Sequence, residues 1–282
     1  MDYSSRLALM LTDMQKAPAQ FKPANFWQTG LPSILEDLRR RGFEDFRDHS
    51  SARQMYVPGF SSRMWQSHQG WLEPLFRFAD RLPTRSRAGS RVRGFFDGTA
   101  EAKRQHQILC ASHVDQRPRL ENLEESLVGG EGERVLIANR YWSRTWLNYL
   151  RGLNFLKKLV DTSGLTSVLE LGGGYGGLGE ILLKADADIV YVDVDIPPVA
   201  AVATFYLEKV FGEGSVLTYE ISREMDVIDI EQLSSEYKCA VLCPWQLPRL
   251  RGQVDLLSNF ISFQEMEPDI VANYIELVDC NR

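Results

Sequence analysis

Hydrophobic positions follow two different rhythms along this chain. Up to about Thr162 they recur mostly at helical spacing, and from Ser167 onward short apolar runs alternate with amphipathic ones, the pattern of an α/β unit. The boundary falls near Gly164 and divides a mainly helical region, 1–162, from an α/β region, 163–282. In the first region, Ile34, Leu35 and Leu38 predict a short helix that opens at Pro32 and closes at Gly42, with Arg39-Arg40-Arg41 at its C-terminal end. The clearest helix runs from Ser143, a candidate N-cap, to about Asp161. Trp146, Leu147, Leu150, Leu153, Leu156, Leu159 and Val160 repeat along it, Gly164 is the expected stop, and its apolar face should lie against the sheet that follows.

In the second region Val168–Leu171, Ile189–Asp195, Ala240–Cys243 and Val254–Phe260 read as strands, the last two apolar enough to be buried in a parallel sheet. The first strand runs straight into Gly172-Gly173-Gly174-Tyr175-Gly176-Gly177 and then into a helix. Glycine suits such a turn because the backbone can bend sharply, take positive φ and approach a ligand with no Cβ in the way. The helix start adds outward-pointing N–H donors. The second strand ends in Asp193-Val194-Asp195, where a carboxylate can accept hydrogen bonds from both hydroxyls of a ribose. Asp195, immediately before the turn into the Pro197 helix, is the first candidate and Asp193 the second.

The spacing Gly172-x-Gly174-x-x-Gly177 also satisfies the dinucleotide pattern, so an NAD(P)-dependent oxidoreductase is a competing reading. Glu170 weighs against it. A carboxylate two residues before the first glycine opposes a pyrophosphate and suits a cationic ligand such as S-adenosylmethionine.

Composition narrows the field. With 282 residues, 44% hydrophobic and 25% charged, the chain can bury one large core or two modest ones. A net charge of −6 argues against a nucleic-acid partner, which needs a basic face. Cys110, Cys239, Cys243 and Cys280 read as reduced core thiols, and no spacing of ligand residues calls for a metal. The absence of a signal-like start and of a long apolar run predicts a cytoplasmic protein with no membrane span. Arg77, Arg81, Arg85, Arg87, Arg91 and Arg93 lie among Ser, Gly and Pro and read as an exposed connection. Their guanidinium forks would also suit an anionic acceptor such as a nucleotide-linked sugar or an acidic glycan.

The run Glu170-Leu171-Gly172-Gly173-Gly174-Tyr175-Gly176 resembles the first motif of the class I S-adenosylmethionine-dependent methyltransferases. Further along, Asp195-Ile196-Pro197-Pro198, Tyr206–Gly212, Cys243-Pro244-Trp245-Gln246-Leu247, Asn259 and Ser262–Met266 resemble, in order, a family of sugar O-methyltransferases. The likeness covers about Ser143 to Val278. It implies a Rossmann-like parallel sheet, S-adenosylmethionine as cofactor, and a sugar hydroxyl in a glycan, nucleotide-sugar or glycosylated natural product as acceptor. The donor would be held by Glu170, Gly172, Gly173, Gly174, Tyr175, Gly176, Asp193, Asp195 and Ile196. Since the carboxyl ends of parallel strands line the ligand crevice, Pro244 and Trp245 should flank the adenine, and Asn259 and Glu265 should stand near the transferred methyl. Glu265 is the leading candidate for the general base, and His106 and then His113 are its rivals from outside the matching region.

The chain departs from the family pattern at its end. Class I methyltransferases build about seven strands, whereas Arg282 follows soon after the fourth here, leaving an apolar parallel edge. Three expectations follow: a sequence truncated relative to its relatives, replacement elements from the helical region, or a homodimer that covers the edge. Truncation would leave a donor-binding module without catalysis as the alternative function.

Overall fold

The computed structural model describes residues 1–60, 94, 97–132 and 134–280; the arginine strip 77–93 lies outside the described residues. The chain opens with α1 (Tyr3–Lys16), capped by the Asp2 carboxylate, which accepts from Ser5 N at 3.0 Å. Next come α2 (Asn25–Arg41), α3 (Ser50–Met55) and α4 (Thr99–Ala111). An antiparallel hairpin of β1 (Arg134–Ile137) and β2 (Arg140–Ser143) leads into α5 (Arg144–Leu159). The helix expected to open at Pro32 in fact opens at Asn25 and carries Pro32 inside it, although Gly42 ends it at φ +76° as expected. Trp27, Gly30, Ile34 and Leu38 form one buried stripe across the proline, and packing of that stripe outweighs the one backbone N–H that proline lacks.

α5 starts as the sequence predicts, with Ser143 Oγ accepting from Trp146 N at 3.1 Å. It ends earlier. Val160 is already extended, Gly164 takes no part in the stop, and Leu159 and Val160 are exposed instead of continuing the buried face of Trp146, Leu147, Leu150 and Leu153.

The remainder is α/β. It comprises β3 (Ser167–Leu171), α6 (Gly177–Ala185), β4 (Val190–Val194), α7 (Pro197–Phe211), β5 (Val216–Leu217), α8 (Tyr219–Ser222), β6 (Ile228–Asp229) and α9 (Ile230–Glu236). After these come β7 (Cys239–Leu242), β8 (Leu250–Arg251), β9 (Leu256–Ser258) and α10 (Pro268–Cys280). Five strands form one sheet in the order β5-β7-β4-β3-β9, with every pairing parallel. From β3 the chain passes to β4 and on to β5 at the far edge, comes back to β7 between those two, and then crosses to the opposite side of β3 as β9. The strand order therefore reverses at β3, the point where crevices open in such sheets.

β9 is shorter and less buried than the sequence suggests. It is an edge strand, and Leu257 is 37% exposed. Two side chains fix its length. Asp255 turns aside to accept from Thr166 N at 2.8 Å and Ser167 N at 3.0 Å, and Asn259 bends the chain out of the ladder by donating to Leu171 O at 2.6 Å. Among the described residues the helical region adds no strand to this sheet. It contributes packing: Leu7, Met10, Trp27 and Phe46 share one apolar cluster with Val199, Phe205 and Tyr206. Buried Arg6 of α1 reinforces it with ion pairs to Glu208 at 2.9 Å and Glu220 at 2.6 Å. Cys239 and Cys243 are buried thiols, whereas Cys110 is exposed and so is not the core thiol expected. No helix among the described residues is long and apolar enough to cross a membrane.

Candidate functional site at the glycine turn

The turn between β3 and α6 takes positive φ at Gly172 (75°), Gly174 (64°) and Gly176 (88°). Its amides are already spoken for. Gly172 N donates to Val194 O at 2.8 Å, Gly173 N to Asp193 Oδ1 at 3.1 Å, and Gly174 N to Asp195 Oδ2 at 2.9 Å. The period-two alternation of β4 sets Asp193 and Asp195 on one side, and parallel register places Asp193 beside Glu170. A Cβ built on Gly173 would stand 2.5 Å from Asp193 Oδ1 and 2.7 Å from the Tyr191 hydroxyl, so the turn rests directly on these groups. Tyr191 donates to Glu170 Oε2, and Tyr149 donates to Gly173 O at 3.4 Å. Glu170 Oε1 and Asp193 Oδ2, both fully buried, have no partner.

Burial pushes the Glu170 carboxyl up to about 8, against the hydrogen bond from Tyr191 and the nearby Tyr149 hydroxyl and with Asp195 adding to the rise. Burial likewise pushes Asp195 up to about 7; the Gly174 and Ile196 amides oppose the rise and Glu265 reinforces it. Asp193 rises by burial and by its neighbours Asp195 and Glu170. An unfolded chain sheds such protons near pH 4, whereas the native state keeps them until about 7 to 8. Across that window the native state binds more protons, so stability is expected to fall as pH rises from 5 to 8. Urea denaturation at several pH values reads the slope, and Glu170→Gln should flatten it; an unaltered slope in that variant would refute the assignment to Glu170.

The segment after β9 crosses above the turn. A Cβ on Gly172 would lie 2.1 Å from Ser262 Oγ. Asn259 donates to Leu171 O and to Ser262 Oγ at 2.5 Å and accepts from Phe263 N at 3.2 Å, so its carboxamide braces this segment and is not free for a ligand. Glu265, three residues beyond Ser262, is half-buried. Its Oε2 accepts from Trp27 Nε1 at 3.0 Å, burial raises its pKa against that bond, and it acts electrostatically on Asp195. The carboxylate of Glu267 accepts from Asn25 N at 3.1 Å, which ties the start of α2 to the same segment. Tyr56 brings a buried hydroxyl with no partner, and its carbonyl lies 3.9 Å from the position a Gly174 Cβ would occupy. Trp27 and Tyr56 come from the helical region, and no pattern along the chain assigns them to the site. Each sits in an apolar stripe like any core aromatic, and the one clue is the polar atom that a buried Trp or Tyr must satisfy.

The other expected residues are placed differently. Tyr175 contributes backbone to the turn, and its side chain is buried with its ring against Gly177. The guanidinium of Arg47 lies 4.7 Å from its ring centroid, and its hydroxyl donates to Glu125 at 3.2 Å. Ile196 is the N-cap residue of α7, and its amide is held by Asp195 at 2.7 Å. Pro244 opens a turn that Gln246 braces by accepting from Cys243 N at 2.8 Å. Trp245 in that turn donates to Tyr219 at 3.1 Å and lines a cavity of ≈330 Å³ with Asp13, Lys16, Arg223 and Arg249. His106 and His113 do not join the glycine turn. His106 packs edge-on against Trp142, with ring centroids 4.9 Å apart, and His113 pairs with Glu121 at 3.1 Å, because α4 docks on α5 and not over the carboxyl ends of the strands.

Comparisons with protein-family models, with curated proteins and with solved structures find no match to this chain.

Proposed function

We propose that the chain is a Rossmann-like S-adenosylmethionine-binding protein that transfers the methyl group to a hydroxyl, with a sugar as the acceptor class that the sequence resemblance favours. The observation that carries this reading is the occupation of the turn amides by carboxylates. A pyrophosphate-binding turn directs its N–H groups at the ligand. Here Gly173 N and Gly174 N are engaged by Asp193 and Asp195, with Glu170 beneath them, so the turn offers acids where a dinucleotide needs donors. A sulfonium or ammonium suits that environment, and the unpartnered oxygens of Glu170 and Asp193 fit a nearby cation.

When bound, the donor supplies an electrophilic methyl whose carbon–sulfur bond breaks as the bond to the acceptor oxygen forms. Asp195, slightly exposed at the carboxyl end of β4, is suited to hold the ribose hydroxyls. Tyr56 offers a buried hydroxyl without a partner, within electrostatic reach of Asp195. Glu265, its proton affinity raised by burial and its orientation fixed by Trp27, takes the acceptor proton.

Calorimetric titration with S-adenosylmethionine and its demethylated product, with NAD as control, tests the reading. Micromolar binding of the first two is expected; binding of NAD alone would replace it with the oxidoreductase reading. Because a cation favours ionised carboxyls, donor affinity should rise with pH, by up to about tenfold per unit below 7, and binding should release protons. Asp195→Asn should weaken binding by about 1.5–3 kcal/mol and flatten that dependence.

A further inference from the structure

α4, the segment 113–123, the end of the β1–β2 hairpin and α5 enclose a cavity of ≈550 Å³. It is open to the face of α5 that carries Leu150 and Asn154, about 100–140° around the helix from Tyr149, whose hydroxyl touches the glycine turn. Its lining mixes apolar surface, from Leu109, Leu120, Leu150 and the indole of Trp142, with polar side chains. Trp142 has spent its only donor on Ile137 O at 3.2 Å and so offers carbon surface. Asn154 decides the chemistry: it is 2% exposed, it lines the cavity, and its Oδ1 has no hydrogen-bond partner. A purely structural position would avoid a buried acceptor left unpaired, since leucine there would cost less.

We propose that this cavity binds a neutral, hydroxylated ring the size of one glycosyl unit, as a site separate from the glycine turn. Asn154 Oδ1 requires a donor, which a hydroxyl supplies. The charges at the rim are matched within the protein and leave no demand for a charged ligand: His113 faces Glu121 at 3.1 Å, and Arg140 lies 3.8 Å from Glu124 and donates to Asn122 at 3.3 Å. Burial lowers the proton affinity of His106, so its neutral ring can both donate and accept. A lining that mixes apolar surface with polar side chains complements a pyranose, which carries C–H bonds on its faces and hydroxyls around its edge. This inference goes beyond the methyl-donor reading and does not depend on it.

Saturation-transfer NMR on the full chain with methyl α-D-glucopyranoside and its galacto and manno epimers tests the site, with adenosine as the aromatic control. Transfer to at least one pyranoside at millimolar affinity is expected, together with shifts of the His106 and His113 ring signals. Asn154→Leu should weaken it by about tenfold or more, with a thermal midpoint equal to or above that of the parent and unchanged S-adenosylmethionine titration. His113→Ala, at the exposed rim, should weaken it with the midpoint unaltered. Transfer to adenosine alone, transfer to no probe from the folded protein, or transfer undiminished in both variants would overturn the proposal.

Discussion

Arg47→Met is expected to lower the free energy of unfolding by about 3–5 kcal/mol, the scale for removing one partner of a buried ion pair. Arg47 is 1% exposed. It pairs with Glu125 at 2.6 Å, donates to the Tyr206 hydroxyl at 2.8 Å, and lies against the rings of Tyr175 and Tyr206. Burial alone would favour loss of its charge, but Tyr206, Tyr175 and Glu125 more than offset that and hold it protonated. Without it, Glu125 keeps the hydrogen bonds from Tyr175 and Ser143, and Arg134 remains at 3.9 Å, so the loss should fall short of a fully orphaned charge. The urea midpoint measures the effect. Adding Glu125→Met should restore much of it, since a matched apolar pair leaves no buried charge; a double variant as unstable as the sum of the singles would show that the two residues are not coupled. The network extends through Tyr206 to Glu180 and through Ser126 N to Glu180 at 2.9 Å, so it fastens the helical region to the helices behind the glycine turn. Donor affinity should therefore fall along with stability.

Gly172→Ala is the second large effect, at about 2–4 kcal/mol of stability, accompanied by loss of measurable donor binding. Two costs combine. At φ +75° a Cβ is strained whatever the space, and here it would meet Ser262 Oγ at 2.1 Å and Ser262 Cβ at 2.5 Å. The Ser262 side chain cannot simply rotate away, because its Oγ donates to Leu171 O at 2.9 Å and accepts from Asn259. The whole segment that carries Glu265 must shift. Gly164→Ala is the matched control: it has open space and no unusual φ, and its urea midpoint should stay within error of the parent. Equal stability and equal donor affinity in Gly172→Ala would mean that the segment after β9 is not seated on the turn.

The local chemistry of the α/β half was legible in the sequence because it depends on neighbours in the chain. A short apolar run followed by glycines gives strand, tight turn and helix whatever surrounds it, and Gly172, Gly174 and Gly176 take the positive φ expected of such a turn. The alternation along Val190–Val194 likewise put Asp193 and Asp195 on one side of a strand. Ser143 as the cap of α5 follows from its own hydroxyl reaching Trp146 N.

Other features are set by groups distant in sequence. That the acids of β4 take up the amides of the turn follows from parallel register between β3 and β4, which period alone cannot supply. Trp27 meets Glu265 across 238 positions, and Arg47 meets Tyr206 across 159. His106 and His113 looked like rivals for a base because histidines titrate near neutrality; the docking of α4 on α5 placed them in a different cavity. The sequence by itself determined where the chain turns, where it is apolar and which acids end its strands, because those properties reside in a few adjacent residues. Only the tertiary structure decided which of those acids face the turn, which aromatics join them and which amides remain free, because hydrogen bonds and burial are fixed by partners that the chain brings together from afar.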